Sequence, residues 1–440
     1  MHTDTTDAPA TILVNRAPWL LRTRIEERRD FWSDIAVLDL PSADRAASTV
    51  DEHTFVFALG RLMGGVVDDA AVAFGALYSQ ARDPALRSRA RIGLTMALSW
   101  RSDWPTIAAI PTHTDLADSL DAPRGDSVLA AGVERWAHAL AAMPSPVLDV
   151  PDGTVTVPMR RSAFGTPVIS VRINGRPHEF WLDTGASMTI LSARVALDAG
   201  VGLASTDTLA LGVVAGQIPA RAAFVDSLSI GGVRVRALSV AVVDSDVLRL
   251  DRRVVNGHVE EVPIEGVIGT DILRHLDLVL DARAGTVAIS RPRHGTRATP
   301  TAARNLFWIG FPVVRLVTRD GRPILFGLDT GAEDSYVTTA LLRKLPDTPV
   351  AARRGSIGGL GGEQQPTRWV ARRLALSDGK YALDLRNIPV APERRWTFFT
   401  FDGMIGADVA LASRMHLDFE NGIFDIHASA PDHLAGMLVK

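Results

Sequence analysis

One stretch of this chain occurs twice, and the duplication constrains its fold more than any other feature. PVISVRINGRPHEFWLDTGAS spans 167–187, and PVVRLVTRDGRPILFGLDTGAE spans 312–333. The turn Asn174-Gly175-Arg176-Pro177 matches Asp320-Gly321-Arg322-Pro323, and each turn glycine stands eight residues before an aspartate, Asp183 or Asp329. Pro219-Ala220-Arg221 and Pro366-Thr367-Arg368 begin 36 and 37 residues past those aspartates. EGVIGTDIL (265–273) then matches DGMIGADVA (402–410), and LDLVLDARAGTVAIS (276–290) matches MHLDFENGIFDIHAS (415–429). Five markers recur in one order. Chance likeness between strand-rich segments does not keep order and spacing, so two copies of one β unit are expected. Their short runs of Val, Ile and Leu are punctuated by Asn-Gly, Asp-Gly and Gly-Gly turns, as in an all-β protein.

The texture before residue 143 is different. AAVAFGALYSQARDPALRSRARIGLTMALSW (70–100) repeats apolar positions at helical spacing, with an Asp83-Pro84 break between two segments, and SVLAAGVERWAHALAAM (127–143) looks the same. Small and large apolar residues alternate there much as in tetratricopeptide-type helical pairs, without a clean period of about 34 residues. MPSPVLDVPDG (143–153) carries three prolines and a Pro-Asp-Gly turn, and marks the boundary. The predicted organisation is an α-helical domain over 1–150, a first β lobe over 151–295 and a second over 296–440.

Composition removes several kinds of chemistry. The 440 residues contain no cysteine, which excludes disulfides, thiolate nucleophiles and cysteine-ligated zinc. A net charge of −3 supplies no basic field for nucleic acid. No apolar run approaches the roughly 20 residues of a membrane-spanning helix. The 11 histidines show no metal-ligand spacing, so neither metal nor cofactor is expected. The first residues lack a basic segment followed by an apolar one, which leaves the cytosol, or export with the signal already removed.

A single Asp-Thr-Gly is a common turn, in which Asp caps, Thr bonds locally and Gly takes positive φ. Here the context is richer. Each motif follows an apolar strand, FWL (180–182) or FGL (326–328). Each is followed, at 86 or 77 residues, by the glycine of an apolar-apolar-Gly signature, Val267-Ile268-Gly269 or Met404-Ile405-Gly406. With the glycine-rich GSIGGLGGE (355–363), these features resemble the retropepsin-like aspartic peptidases. The resemblance covers roughly residues 155–430, with two lobes fused in one chain.

The resemblance implies a two-lobed all-β aspartic-protease fold, of duplicated retropepsin-like or pepsin-like barrels, preceded by the helical domain. It implies peptide-bond hydrolysis with Asp183 and Asp329 as the catalytic pair. Two carboxyl groups sharing one site cannot both ionise cheaply, so they hold a proton between them. The ionised member can deprotonate a water while the protonated one polarises the scissile carbonyl. Thr184 and Thr330 are implied to lock the two loops together, and Gly185 and Gly331 to bring amides to the carboxylates. Ser187 is implied to place a hydroxyl beside Asp183. The second copy has Glu333 and Asp334 instead, implied to hold substrate backbone, with solvated turn charges as the alternative. Ile357, Gly358 and Gly359 are expected in a flap closing over substrate. Gly216 belongs to a glycine-poorer counterpart in the first lobe, so one dominant flap is expected, from the second lobe. Ala186 and Ala332, where pepsins carry Ser or Thr, point to a less acidic working pH.

A competing reading makes the same fold a non-catalytic peptide-binding scaffold. Both aspartates, both threonines and both glycines are present, and a dead copy has no chemical need of them. The helices are expected to inhibit, or to dock a substrate or protein partner, and the resemblance tilts the location toward the periplasm or the exterior.

Overall fold

The computed structural model describes residues 10–16, 30–111, 124–213, 216–253, 259–293, 304–359, 362–396 and 399–428. Helices α1 (Phe31–Ala36), α2 (Leu40–Ala46), α3 (Val50–Met63), α4 (Val67–Gln80), α5 (Pro84–Trp100), α6 (Trp104–Ala108) and α7 (Arg124–Leu140) come first. Local chemistry sets their limits. Thr49 and Glu52 form a reciprocal capping box at the start of α3. Asp83 caps α5 by accepting from the Ala85 N–H, with Pro84 at the first helical position, where a missing N–H costs nothing. Phe55 of α3 meets Phe74 of α4 edge to face at 5.6 Å. A Cβ on Gly93 of α5 would lie 2.6 Å from the Phe74 ring, so glycine there lets α4 and α5 close together.

A strand, Thr11–Arg16, precedes the helices. Thr11–Arg16 pairs antiparallel with Tyr381–Ala391 of the second lobe, from Thr11↔Arg386 to Arg16↔Tyr381. TILVNR is β-prone but too short to be distinguished from a linker by pattern alone. The proline-bearing segment at 143–153 also contributes a strand, Val147–Asp149, to the sheet of the first lobe.

The two β lobes repeat the same strand arrangement around their Asp-Thr-Gly loops. In the first, Arg176–Leu182 runs parallel to Gly266–Ile268, with Leu182 opposite Ile268. In the second, Pro323–Leu328 runs parallel to Gly403–Ile405, with Leu328 opposite Ile405. Ile190–Ser192 and Tyr336–Thr338 then pair antiparallel with those same short strands. Short helices follow at equivalent places: α8 (Ala193–Asp198) and α9 (Thr270–Leu273) in the first lobe, α10 (Thr339–Lys344) and α11 (Ala407–Ala412) in the second. The last marker of the duplication joins the lobes. Asp277–Asp281 pairs antiparallel with Ser413–Asp418, so the C-terminal hairpin extends a sheet begun in the first lobe.

One continuous apolar core runs through the helices and both lobes. Arg274 is among the largest fully buried side chains. Its guanidinium donates to the Ser99 and Trp100 carbonyls at the end of α5, both at 2.8 Å. It also lies over the rings of Trp100, at 5.5 Å, and of Trp308 in the second lobe, at 4.9 Å. Burial lowers its pKa to about 10, against the opposing charge of Asp271, so it stays a cation at neutral pH. Among the described residues, no helix is long and apolar enough to cross a membrane.

Candidate active site

The two Asp-Thr-Gly loops meet. Asp183 N–H donates to Ile268 O at 3.1 Å, and Asp329 N–H to Ile405 O at 2.9 Å, so each loop leaves its strand in the same way. The threonines then cross over. Thr184 Oγ1 donates to Leu328 O at 2.9 Å and accepts from Thr330 N–H at 3.0 Å. Thr330 Oγ1 donates to Leu182 O at 2.7 Å and accepts from Thr184 N–H at 3.0 Å. These four bonds lie in a buried environment, where an unmade one is costly.

The glycines bring the carboxyl groups face to face. A Cβ on Gly185 would lie 2.4 Å from the Asp329 carboxyl carbon, and one on Gly331 would lie 2.4 Å from that of Asp183. Each loop therefore packs bare backbone against the other loop's aspartate, and no side chain fits between. Gly185 N–H donates to Asp183 Oδ1 at 2.8 Å; Gly331 and Ala332 N–H both donate to Asp329 Oδ1 at 3.1 Å. Both aspartates keep a little exposed surface. Even so, the protein around the Asp183 carboxyl holds its pKa well above the ordinary value. Desolvation is the main cause, followed by the charge of Asp329 and a side-chain hydrogen bond with it, while the Gly185 and Ala186 amides oppose.

Sequence reasoning missed a second pair of carboxylates behind the loops. Asp271 accepts from Thr189 N–H and Thr189 Oγ1, both at 2.9 Å. Asp408 accepts from Ser335 N–H at 2.8 Å and Ser335 Oγ at 2.5 Å. Burial pushes each carboxyl up to about 6, although those bonds pull it down. The signal lay in the duplication itself. Thr189 and Ser335 each stand six residues past their aspartate, and Asp271 and Asp408 each stand two past the signature glycine. Those glycines are sterically required: a Cβ on Gly269 would lie 2.6 Å from the Met188 backbone, and one on Gly406 would lie 2.8 Å from that of Asp334.

The remaining candidates fall in several places. Ser187 is exposed, and its hydroxyl makes no hydrogen bond to Asp183, whose Oδ1 accepts from a backbone amide instead. Glu333 and Asp334 are exposed at the start of the segment leading to Tyr336–Thr338, and the positive charge of Arg353 acts on Asp334. Gly358 and Gly359 lie in a hairpin of Val350–Gly359 with Gly362–Ser377, paired with Glu363 and Gly362. Its tip, 360–361, and the side chain of Ile357 lie outside the described residues. The first lobe builds the same hairpin from Leu209–Val213 and Gly216–Ile230, with Val213 opposite Gly216 at φ +125°. Both turns fall 31 and 32 residues past their aspartate, so the two hairpins are equivalent in register. Among the described residues, no three His, Asp or Glu side chains converge as a metal ion would require.

Residues 169–272 match the family described as Aspartyl protease. No curated protein matches the chain. Among solved structures, the chain is similar to a retropepsin-like aspartic protease from Rickettsia conorii, at 18% identity and a TM-score of 0.22, over 34% of this chain and 97% of that one. It is also similar to an aspartic proteinase from Irpex lacteus, at 11% identity and a TM-score of 0.38, over 63% of this chain and 97% of that one. The family match lies on the first lobe, and the second lobe repeats that lobe's strand pairing around its own Asp-Thr-Gly loop.

Proposed function

We propose that the protein is an aspartic endopeptidase, hydrolysing peptide bonds with a water activated between Asp183 and Asp329. The observation that carries this reading is the reciprocal fit of each catalytic-loop glycine against the opposite carboxyl group. That fit brings two carboxyl groups into one site, where burial and mutual repulsion keep a proton shared between them. The ionised member takes a proton from the water as it attacks the scissile carbonyl. The protonated member donates to the carbonyl oxygen, and the pair then protonates the leaving nitrogen. Thr184 and Thr330 keep the carboxyl groups in register, and the Gly185 and Gly331 amides hold their orientation. Exposed Glu333 and Asp334 supply acceptors for substrate backbone on the second-lobe side, and both hairpins enclose the peptide.

Asp329→Asn tests this directly. The amide keeps an oxygen for the Gly331 and Ala332 N–H groups but cannot share the proton. Peptide cleavage is expected to fall by at least about a thousandfold, with circular dichroism unchanged. Wild-type cleavage rates in the folded variant would refute the dyad. A wild-type protein that binds peptides without cutting any would favour the scaffold reading instead.

A further inference from the structure

The peptidase reading does not use α7, yet α7 is attached to the hairpin of the first lobe. Trp136 Nε1–H donates to Ala210 O in the Leu209–Val213 strand at 3.0 Å. The Trp136 indole and Leu140, both buried, share an apolar cluster with Leu209 and Ile218 on the two arms of that hairpin. The same cluster contains Met188 and takes in Ala186, five and three residues past Asp183. A single packed body therefore runs from the helix, through the hairpin, to the flank of the catalytic loop.

The helix is itself held firmly. Glu134, two residues before Trp136 on α7, makes a largely buried ion pair with Arg91 of α5. The end of α5 is fixed in turn by Arg274, next to α9 and the Asp271 carboxylate behind the first catalytic loop. The helical domain thus grips the first lobe at two points, at the base of the loop and at the hairpin. The second lobe has Leu411 at the position matching Arg274.

We propose that Trp136 is a positioning residue for the first-lobe hairpin, through which the helical domain presets one wall of the substrate cleft. The inference rests on the peptidase reading but makes a separate demand. A hairpin fixed from outside does not have to be ordered by substrate, so binding costs less on that side. Trp136 touches neither aspartate, so its loss should weaken substrate binding and leave the chemical step alone.

The test uses the full chain with Trp136→Phe, which keeps an apolar ring but loses the N–H, and Trp136→Ala. Amide hydrogen exchange is read at 209–213 and 216–220, and KM and kcat on a peptide substrate. Exchange in this hairpin is expected to rise about tenfold or more in W136A and less in W136F, with the Ile190–Ser192 strand unchanged. KM should rise roughly tenfold in W136A with kcat within about twofold. Wild-type exchange at the hairpin, or an even rise along the whole chain, would overturn the proposal. So would a loosened hairpin with an unchanged KM. Should the wild-type chain cut no peptide, the peptidase reading fails by that result alone, and exchange at the hairpin still decides whether Trp136 holds it.

Discussion

Asp183 and Asp329 titrate as one system, so the useful quantity is the pH range over which they hold a single proton. Asp183 keeps its proton to higher pH than a surface aspartate, because of burial first and the Asp329 charge second. No hydroxyl offsets this: the fourth positions are Ala186 and Ala332, and Ser187 does not bond the carboxylate. The kcat/KM profile is therefore expected to peak above about pH 3, and an optimum near pH 2–3 would overturn this account. The shift also acts on stability, with a definite sign. The folded-state value lies above the unfolded one, so the contribution is full below about pH 4 and is lost as pH rises through the folded value. At this scale the sequence disclosed the paired aspartates, which the structure brings together, because each stands in a turn that needs the following glycine. It did not disclose Thr189, Ser335, Asp271 or Asp408 as a set. Their partners are distant in sequence, and only the fold brings a carboxylate to a hydroxyl 73 or 82 residues away.

The crossed threonines are the element that makes two loops into one site. Thr330→Ala would remove the donor to Leu182 O and strand the buried Thr184 N–H. The expected loss is about 2–4 kcal/mol, read by urea denaturation, whereas Thr330→Ser keeps the hydroxyl and should cost under about 1 kcal/mol. Equal losses for both variants would mean that packing of the methyl, and not the crossed bonds, holds the loops. The strands were legible at this scale because the duplication repeats their turns and glycines in order. The first-lobe hairpin gives a weaker signal, since GVVAGQ carries fewer glycines than GSIGGLGGE. Register identifies it: its tip stands as far from Asp183 as the other tip stands from Asp329.

For the whole molecule, the helices form part of the core that the lobes share, through Arg274, Trp100 and Trp308. Arg274→Leu, which installs the residue found at the matching place in the second lobe, would leave two α5 carbonyls and the buried Asp271 without their cation. A loss of about 3–5 kcal/mol is expected, with helices and lobes still unfolding in one thermal transition. A helical domain melting separately at low temperature in the wild type would contradict the shared core. The sequence could not reveal this junction, because a lone arginine after an apolar-apolar-Gly strand reads as a surface charge until its neighbours from three regions are known.

The N-terminal strand has a consequence for how such a chain is made. Thr11–Arg16 completes the second lobe by pairing with residues about 370 positions later. During synthesis that strand emerges long before the strand it pairs with. Until residues 381–386 leave the ribosome, the nascent protein carries an unpaired β-prone segment, open to other strands. Closure of that edge is a long-range step of the kind that makes folding slow, so this pairing of the second lobe waits on residues 381–386.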